Sequence, residues 1–332
     1  MTSLNDGQIK NILAKIVFSD GSSALSRSSD IVINDNNIAF SLDITGIEHS
    51  EAESTREATI RQLEVIKDIS RISIVLTSNR PAQKSGKPEK SRIHIEGVDK
   101  IILVAAGKGG VGKSVISALL AHKLTSEGKK VGIIDADIYG PSIPHIFKLQ
   151  EKPELDNNRM IPLQNYGIFV NSIGFLTAPS ASISWRGPMI SKALYQLLSL
   201  TKWEALDYLI VDTPPGTGDI HLSLLQNYFV DKVLMVTTPQ KIAELDVSRA
   251  INLYNKFNVP ITGIIENMSY YSDPATGEKF KLFSGASGNA ISKKHNIPLL
   301  AQIPIHPELS AACDTGQDLK AYSYLLKMVE LR

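Results

Sequence analysis

The sequence predicts an α/β fold: a doubly wound, mainly parallel sheet with helices on both faces, preceded by a small N-terminal α+β domain. Three observations carry this. From about residue 93 onward, short runs rich in Val, Ile and Leu alternate with helical patterns, and near-continuous apolar runs are the mark of parallel strands buried on both faces. One such run, 101–106, leads directly into a glycine-rich loop and then a helix, the strand–loop–helix unit of phosphate-binding α/β domains. Composition also breaks sharply over residues 78–91, SNRPAQKSGKPEKS, which hold two prolines, a glycine and no large apolar residue; such a stretch is a solvated connection between separately folding parts.

Residues 1–77 form the smaller part. A polar helical start leads to strand-like runs at 31–33 and 38–44, followed by an amphipathic stretch over 51–67 with Ala58, Leu63 and Ile66 among its apolar positions. The run ISIVL at 72–76 reads as a further strand. Residues 78–92 are the expected linker, and 93–332 the expected large domain. Its strands are expected at 101–106, 131–135, 168–173, 208–212, 232–237, 261–266 and 299–303, with helices between them at 113–126, 190–200 and 242–258. Ligands of such sheets bind at the carboxyl ends of the strands.

Length and charge agree with two domains of ordinary soluble character. The 332 residues exceed the ~250–300 at which single cores stop growing. Lys and Arg number 35 against 34 Asp and Glu, a net charge of +1, so nothing favours nucleic acid as a partner. No apolar run approaches the ~20 residues of a membrane helix, and the N-terminal residues lack the apolar core of a secretion signal. Cys313 is the one cysteine, which excludes an intramolecular disulfide; together these point to a reducing, cytoplasmic setting.

The loop at 107–114, GKGGVGKS, fits G-x-x-x-x-G-K-[ST] and marks a P-loop NTPase domain. Gly107, Lys108, Gly109, Gly110, Val111, Gly112, Lys113 and Ser114 are the expected ATP cradle. Glycines let consecutive backbone N–H groups turn inward, and the helix N-terminus adds partial positive charge. Lys113 is expected to reach the β- and γ-phosphates and the Ser114 hydroxyl to ligate Mg²⁺. Asp135 and Asp137 lie in IIDADIYGPS, and Asp212 ends DYLIVD before TPPGTGD; both stretches are expected to follow strands flanking the P-loop strand. Asp212 is assigned to Mg²⁺, Asp135 to the shell supporting it, and Asp137 to orienting the attacking water. The proline- and glycine-rich run 214–219 reads as a switch sensing the γ-phosphate. Asn267, after the strand 261–266, suits either the edge of the base or an ordinary Asx-turn.

Lys108, an early lysine in the loop, resembles that of the deviant Walker A ATPases, which include MinD, ParA, the arsenite-pump ATPase and the nitrogenase iron protein. The resemblance implies a homodimer in which Lys108 acts on the partner's phosphates, as an arginine finger does. The ordered set GKGGVGKS, DADIYGPS, WRGPM (185–189), DYLIVDTPPGTGD, VTTPQ and ENMSY closely resembles the Mrp/ApbC family of iron–sulfur cluster carrier ATPases across nearly all of residues 93–332. The N-terminal part resembles, more weakly, a small domain of iron–sulfur assembly proteins. The resemblance implies slow ATP hydrolysis and transient holding of an iron–sulfur cluster for apo-proteins or assembly factors. It also implies C-x-x-C ligands shortly after ENMS. Trp185 and Arg186 suit a buried tryptophan beside a surface arginine, or a dimer or partner surface.

The sequence departs from that family pattern at one place. In ENMSYYSDPATGEKF, Asp273 and Thr276 stand where the cysteines are expected. A hard carboxylate and a neutral hydroxyl do not replace soft thiolates on iron, and Cys313, expected as a buried structural residue, is distant in sequence. Three readings remain open: a carrier that holds cluster differently or through a partner, an ATP-switched adaptor without cluster, and a positioning ATPase of the MinD/ParA kind. The C-terminal LLKMVELR is too short and mixed in charge for a membrane anchor.

Overall fold

The computed structural model describes residues 6–34, 37–66, 69–78, 92–176 and 187–331, and the chain divides into two compact units, Met1–Glu89 and Lys90–Arg332. The expected linker 78–92 lies, except for its two end residues, outside the described residues.

The smaller unit runs α1 (Asp6–Lys15), β1 (Val32–Asn34), β2 (Asn37–Asp43), α2 (His49–Leu63) and β3 (Arg71–Thr77). Strand β2 is central, antiparallel to β1 and parallel to β3. Its period-two pattern buries Ile38, Phe40 and Leu42 against Ile9 and Leu13 of α1, Leu63 of α2 and Ile74 of β3. Ala58, expected on the apolar face of α2, is exposed instead; the inward stripe runs through Ala52, Thr59 and Leu63. Thr59 is tolerated there because its hydroxyl donates to the Thr55 carbonyl at 2.7 Å.

The larger unit opens with β4 (Val98–Ala106), α3 (Lys113–Ser126), β5 (Val131–Asp135) and α4 (Ile143–Ile146). A short ladder, β6 (Leu155–Asp156) with β7 (Arg159–Met160), precedes β8 (Leu163–Asn165), β9 (Ile168–Ser172), α5 (Ile173–Leu176) and α6 (Gly187–Ser199). Then come β10 (Leu206–Asp212), α7 (Asp219–Asn227), β11 (Lys232–Thr237), α8 (Ile242–Lys256) and β12 (Ile261–Glu266). A hairpin of β13 (Tyr271–Ser272) and β14 (Lys279–Phe280) leads to α9 (Ser287–His295), β15 (Leu299–Gln302), α10 (Pro307–Thr315) and a 3-10 helix, Leu319–Leu326.

The sheet has eight strands in the order β15-β12-β11-β4-β10-β5-β9-β8, parallel throughout except for the antiparallel edge strand β8. Alternation along β4 splits the core: Ile101, Leu103 and Ala105 pack with α6, α7 and α8, whereas Ile102, Val104 and Ala106 pack with α3, α4 and α10. Each fully buried Leu or Ile contributes roughly 1.5–3 kcal/mol.

One expectation is corrected by this order. The strand carrying Asp135 does not flank the P-loop strand; β10 lies between them. The crossover from β4 through α3 skips one position, and β10 later fills it. Asp212 and Asp135 thereby become direct cross-strand partners. Because the strands are parallel, the ends of β4, β5, β10, β11 and β12 gather on one edge, where the site is built.

Candidate functional site

The loop between β4 and α3 is shaped by glycine where glycine alone fits. A Cβ on Gly107 would lie 2.4 Å from the Asp246 carbonyl carbon and the Val247 nitrogen, so α8 packs on bare backbone there. Gly112 adopts φ +81, and a Cβ would lie 2.3 Å from Asn267 Nδ2. Helix α3 begins at Lys113 with no side-chain cap, which leaves its first N–H groups facing the loop as an anion site.

Lys113 is buried, with its Nζ 2.7 Å from Asp212 Oδ1 and 3.9 Å from Asp137 Oδ2. Ser114 Oγ donates to Asp212 Oδ2 at 2.6 Å. Ser117, a residue not singled out from sequence, donates to Asp212 Oδ1 at 2.6 Å; it lies one turn after Lys113 and Ser114 on α3, and that spacing was its available signal. Asp135 is fully buried and accepts from the Asp137 and Ile143 amides at 3.1 and 3.0 Å. Burial, then the charge of Asp212, push its carboxyl up to about 8. Asp137 is part-buried and accepts from the Tyr139 amide at 3.2 Å; burial raises its carboxyl, and the Lys113 ammonium opposes that rise.

Lys113, Ser114 and Asp137 face a cleft of about 330 Å³ lined by residues 108–115 with Asp137, Ser142, His145, Pro215, Cys313 and Asp314 among others. The structure therefore brings together Lys108, Lys113, Ser114 and Asp137 at the cleft, with Asp212 and Asp135 directly behind. The donor set suits the Mg²⁺ of a P-loop, which is held by a hydroxyl, a carboxylate and phosphate oxygens rather than by a protein cage. Among the described residues no group of three or more His, Cys, Asp and Glu is arranged to hold a metal ion.

Asn267 stands apart from the acidic groups. Its Nδ2 donates to the Val111 carbonyl at 2.9 Å, so one amide proton serves the loop itself. Glu266 is buried just before it, accepting from Gly288 N, Ser269 Oγ and Gln302 Nε2 at 2.8, 2.8 and 2.7 Å. That anchor joins β12, β15 and α9 and was hidden in sequence because its partners are 3 to 36 residues away.

The hairpin β13–β14 holds Asp273 and Thr276 in a closed turn. Asp273 Oδ1 accepts from the Ala275 and Thr276 amides at 2.8 and 3.0 Å, while the Glu278 amide donates to Thr276 Oγ1 at 3.2 Å. Those backbone amides, Thr276 first, hold the Asp273 carboxyl below its usual value. The hairpin thus supplies no thiolate, and its Asp273 and Thr276 side chains are bonded to its own backbone. Cys313 is 5% exposed on α10, and burial pushes its thiol up to about 11, so it stays protonated at neutral pH. Trp185 and Arg186 lie outside the described residues.

Comparison with known proteins gives a consistent picture. A family model described as "ParA: NUBPL iron-transfer P-loop NTPase" matches residues 97–328. The chain is 53% identical over 319 residues to the iron-sulfur cluster carrier protein of Rickettsia felis, covering 96% of each chain. It is 42% identical over 270 residues to that of Escherichia coli, covering 81% of this chain and 72% of the other. A solved nucleotide-binding protein from Archaeoglobus fulgidus in complex with ADP is 35% identical with a TM-score of 0.63, covering 71% of this chain and 94% of that one. Among the described residues no helix is long and apolar enough to cross a membrane.

Proposed function

This chain belongs to the family of NUBPL iron-transfer P-loop NTPases, and on that premise we propose that it is a Mg²⁺-dependent ATPase, working as a homodimer, that serves the assembly of iron–sulfur clusters and their transfer to apo-proteins. The observation that carries the reading is that Lys113, Ser114 and Asp137 line one cleft walled by the glycine loop, with the buried Asp212 bonded to both Lys113 and Ser114.

Residues 107–114 cradle the phosphates with backbone N–H groups. Lys113 exchanges Asp212 for phosphate oxygens, which frees the Asp212 carboxylate. Ser114 and Asp212 would hold Mg²⁺, with Asp135 behind them, and a bound ion would supply neutralisation of developing phosphate charge. Asp137 orients the attacking water, and Lys108 acts on the phosphates bound by the partner copy. Hydrolysis is slow, as suits a switch rather than a metabolic catalyst. Residues 214–219 relax on loss of the γ-phosphate. The N-terminal unit, residues 1–77, serves cluster assembly alongside the ATPase domain, in the cytoplasm.

The cluster is cargo, and the self-bonded Asp273–Thr276 turn favours a refinement: cluster is held through a partner protein rather than on this hairpin. The same turn favours a second reading, an ATP-switched adaptor that organises cluster transfer without carrying cluster itself.

Calorimetry with ATP and Mg²⁺, followed by phosphate release and transfer of cluster from a loaded scaffold to an apo-protein, tests this. Saturable ATP uptake and ATP-dependent acceleration of transfer are expected. Absence of nucleotide uptake by folded protein would end the ATPase reading, and transfer indifferent to ATP would end the carrier reading.

A further inference from the structure

We propose that His221 is a positioning residue for ATP hydrolysis, fixing the backbone of the switch at Pro214 by a two-bond relay from Tyr254 on α8; this rests on the ATPase reading above.

The switch leaves β10 held by hydrogen bonds on two sides, and Thr213 N already donates to the Val104 carbonyl at 3.2 Å. Thr213 Oγ1 donates to the Val104 carbonyl at 2.9 Å, and Gly216 N donates to the Ala106 carbonyl at 2.9 Å. Both bind the segment to β4. Between them the Pro214 carbonyl turns to α7 and meets His221 Nε2 at 2.9 Å. The two prolines offer no N–H, so the pair can be held only through its carbonyls, and the Pro214 carbonyl is held by His221. Pro215 lines the cleft, and its Cγ lies 3.8 Å from where a Gly109 Cβ would stand. Whatever sets Pro214 therefore sets the wall of the cleft facing the loop.

The other ring nitrogen of His221, Nδ1, is 2.7 Å from Tyr254 Oη. A carbonyl only accepts, so Nε2 carries the hydrogen and Nδ1 is bare; Tyr254 then donates to it. One direction of donation runs through the relay, from Tyr254 to His221 to Pro214. Both residues are 0% exposed, and no water competes for these bonds. Moving Pro214 alone would strand a buried N–H, which is costly, so the switch must move with α7 or keep its place. Helix α8, which ends the relay, also packs against Gly107 at the start of the P-loop. One helix thus touches the loop and, through two hydrogen bonds, the switch opposite it.

The test is ATP turnover by His221→Phe, His221→Gln and Tyr254→Phe in the full chain, with histidine long-range ¹H–¹⁵N spectra of the wild type. His221→Phe fills the volume without the bonds and is expected to lower kcat about tenfold, with KM for ATP within about twofold because the loop and Lys113 are untouched. His221→Gln, whose amide N–H can reach Pro214, is expected to recover most of kcat. A mere core filler would show the reverse order, since Phe is the more apolar replacement. Tyr254→Phe, the mildest change, is expected to lower kcat by a smaller factor and covers the case of a misfolded Phe variant. The spectra are expected to show one neutral tautomer protonated on Nε2. The Nδ1-protonated tautomer, an unchanged kcat in His221→Phe or Tyr254→Phe, or a Gln variant no better than Phe overturns the proposal alone. A wild type that binds no ATP overturns it together with the ATPase reading.

Discussion

The ammonium of Lys113 lies 2.7 Å from the Asp212 carboxylate, two buried charges each held as the other's counter-ion. Removing one partner leaves an uncompensated buried charge, a change that typically costs about 3–5 kcal/mol. Asp212→Asn keeps the shape and the acceptors for Ser114 in part, but gives up the charge for both Lys113 and Mg²⁺. We expect folded protein with Mg²⁺-dependent ATP turnover reduced at least about 100-fold. Near-normal turnover in Mg²⁺ would reject Asp212 as the metal carboxylate.

Lys108 lines the cleft and forms no ion pair with a described residue. Lys108→Ala is expected to leave ATP binding by the single chain within a few-fold and to lower turnover by about 10³ if the lysine works as a trans-acting finger. Sedimentation with ATP should show weaker dimer formation. Unaltered turnover at any protein concentration would remove that role.

Asn267 holds the Val111 carbonyl beneath the loop. If loop support is its main task, Asn267→Ala should weaken ATP and GTP equally, by about 5–10-fold for a lost hydrogen bond of about 1 kcal/mol. A selective loss for one base would show that the amide reads the base edge.

The Asp273–Thr276 turn, where the sequence resemblance implies cysteines, bonds its own carboxylate to its backbone. Anaerobic reconstitution of the wild type with iron and sulfide should give no stoichiometric absorbance near ~400 nm, and Cys313→Ala should change nothing. Introducing Asp273→Cys together with Thr276→Cys should create cluster binding that depends on dimer formation. Cluster bound by the unaltered chain and lost in Cys313→Ala would overturn this ligand count.

Burial, the largest cause, pushes the His221 imidazole down to about 4, and the Lys113 charge acts in the same direction. Between pH ~6.5 and ~4 the unfolded chain binds a proton that the folded chain refuses. The associated stability is full above pH ~6.5 and is lost as pH falls toward ~4, by on the order of 3 kcal/mol. Thermal melting of the wild type should drop across this window more steeply than that of His221→Gln. Parallel curves would show that another group governs the acid limb.

Much of the fold and site was legible because its signals are local. The strand 101–106, the loop GKGGVGKS and the helix after it are contiguous, so one stretch of sequence specifies the cradle. Asp135, Asp137 and Asp212 were legible as carboxylates at strand ends. Strand order was not: nothing near residue 135 states that a strand from residue 206 will come between it and the P-loop. Ser117, His221 and Glu266 were missed for the same reason, since a polar residue inside a helix or at a strand end is informative only once its distant partner is placed. Ala58 misled because periodicity in a helix of low apolar content admits more than one inward face.

The late arrival of β10 has a consequence during synthesis. When a ribosome has made residues up to about 205, β4 and β5 both exist, yet the strand that must separate them does not. At about 5–20 residues per second, Lys113 waits several seconds for its counter-charge. Premature pairing of the two finished strands would close the sheet around a missing member. A nascent chain in that interval is a natural client for chaperones, and slowing translation after residue 135 should lower the yield of active protein more than slowing it after residue 212.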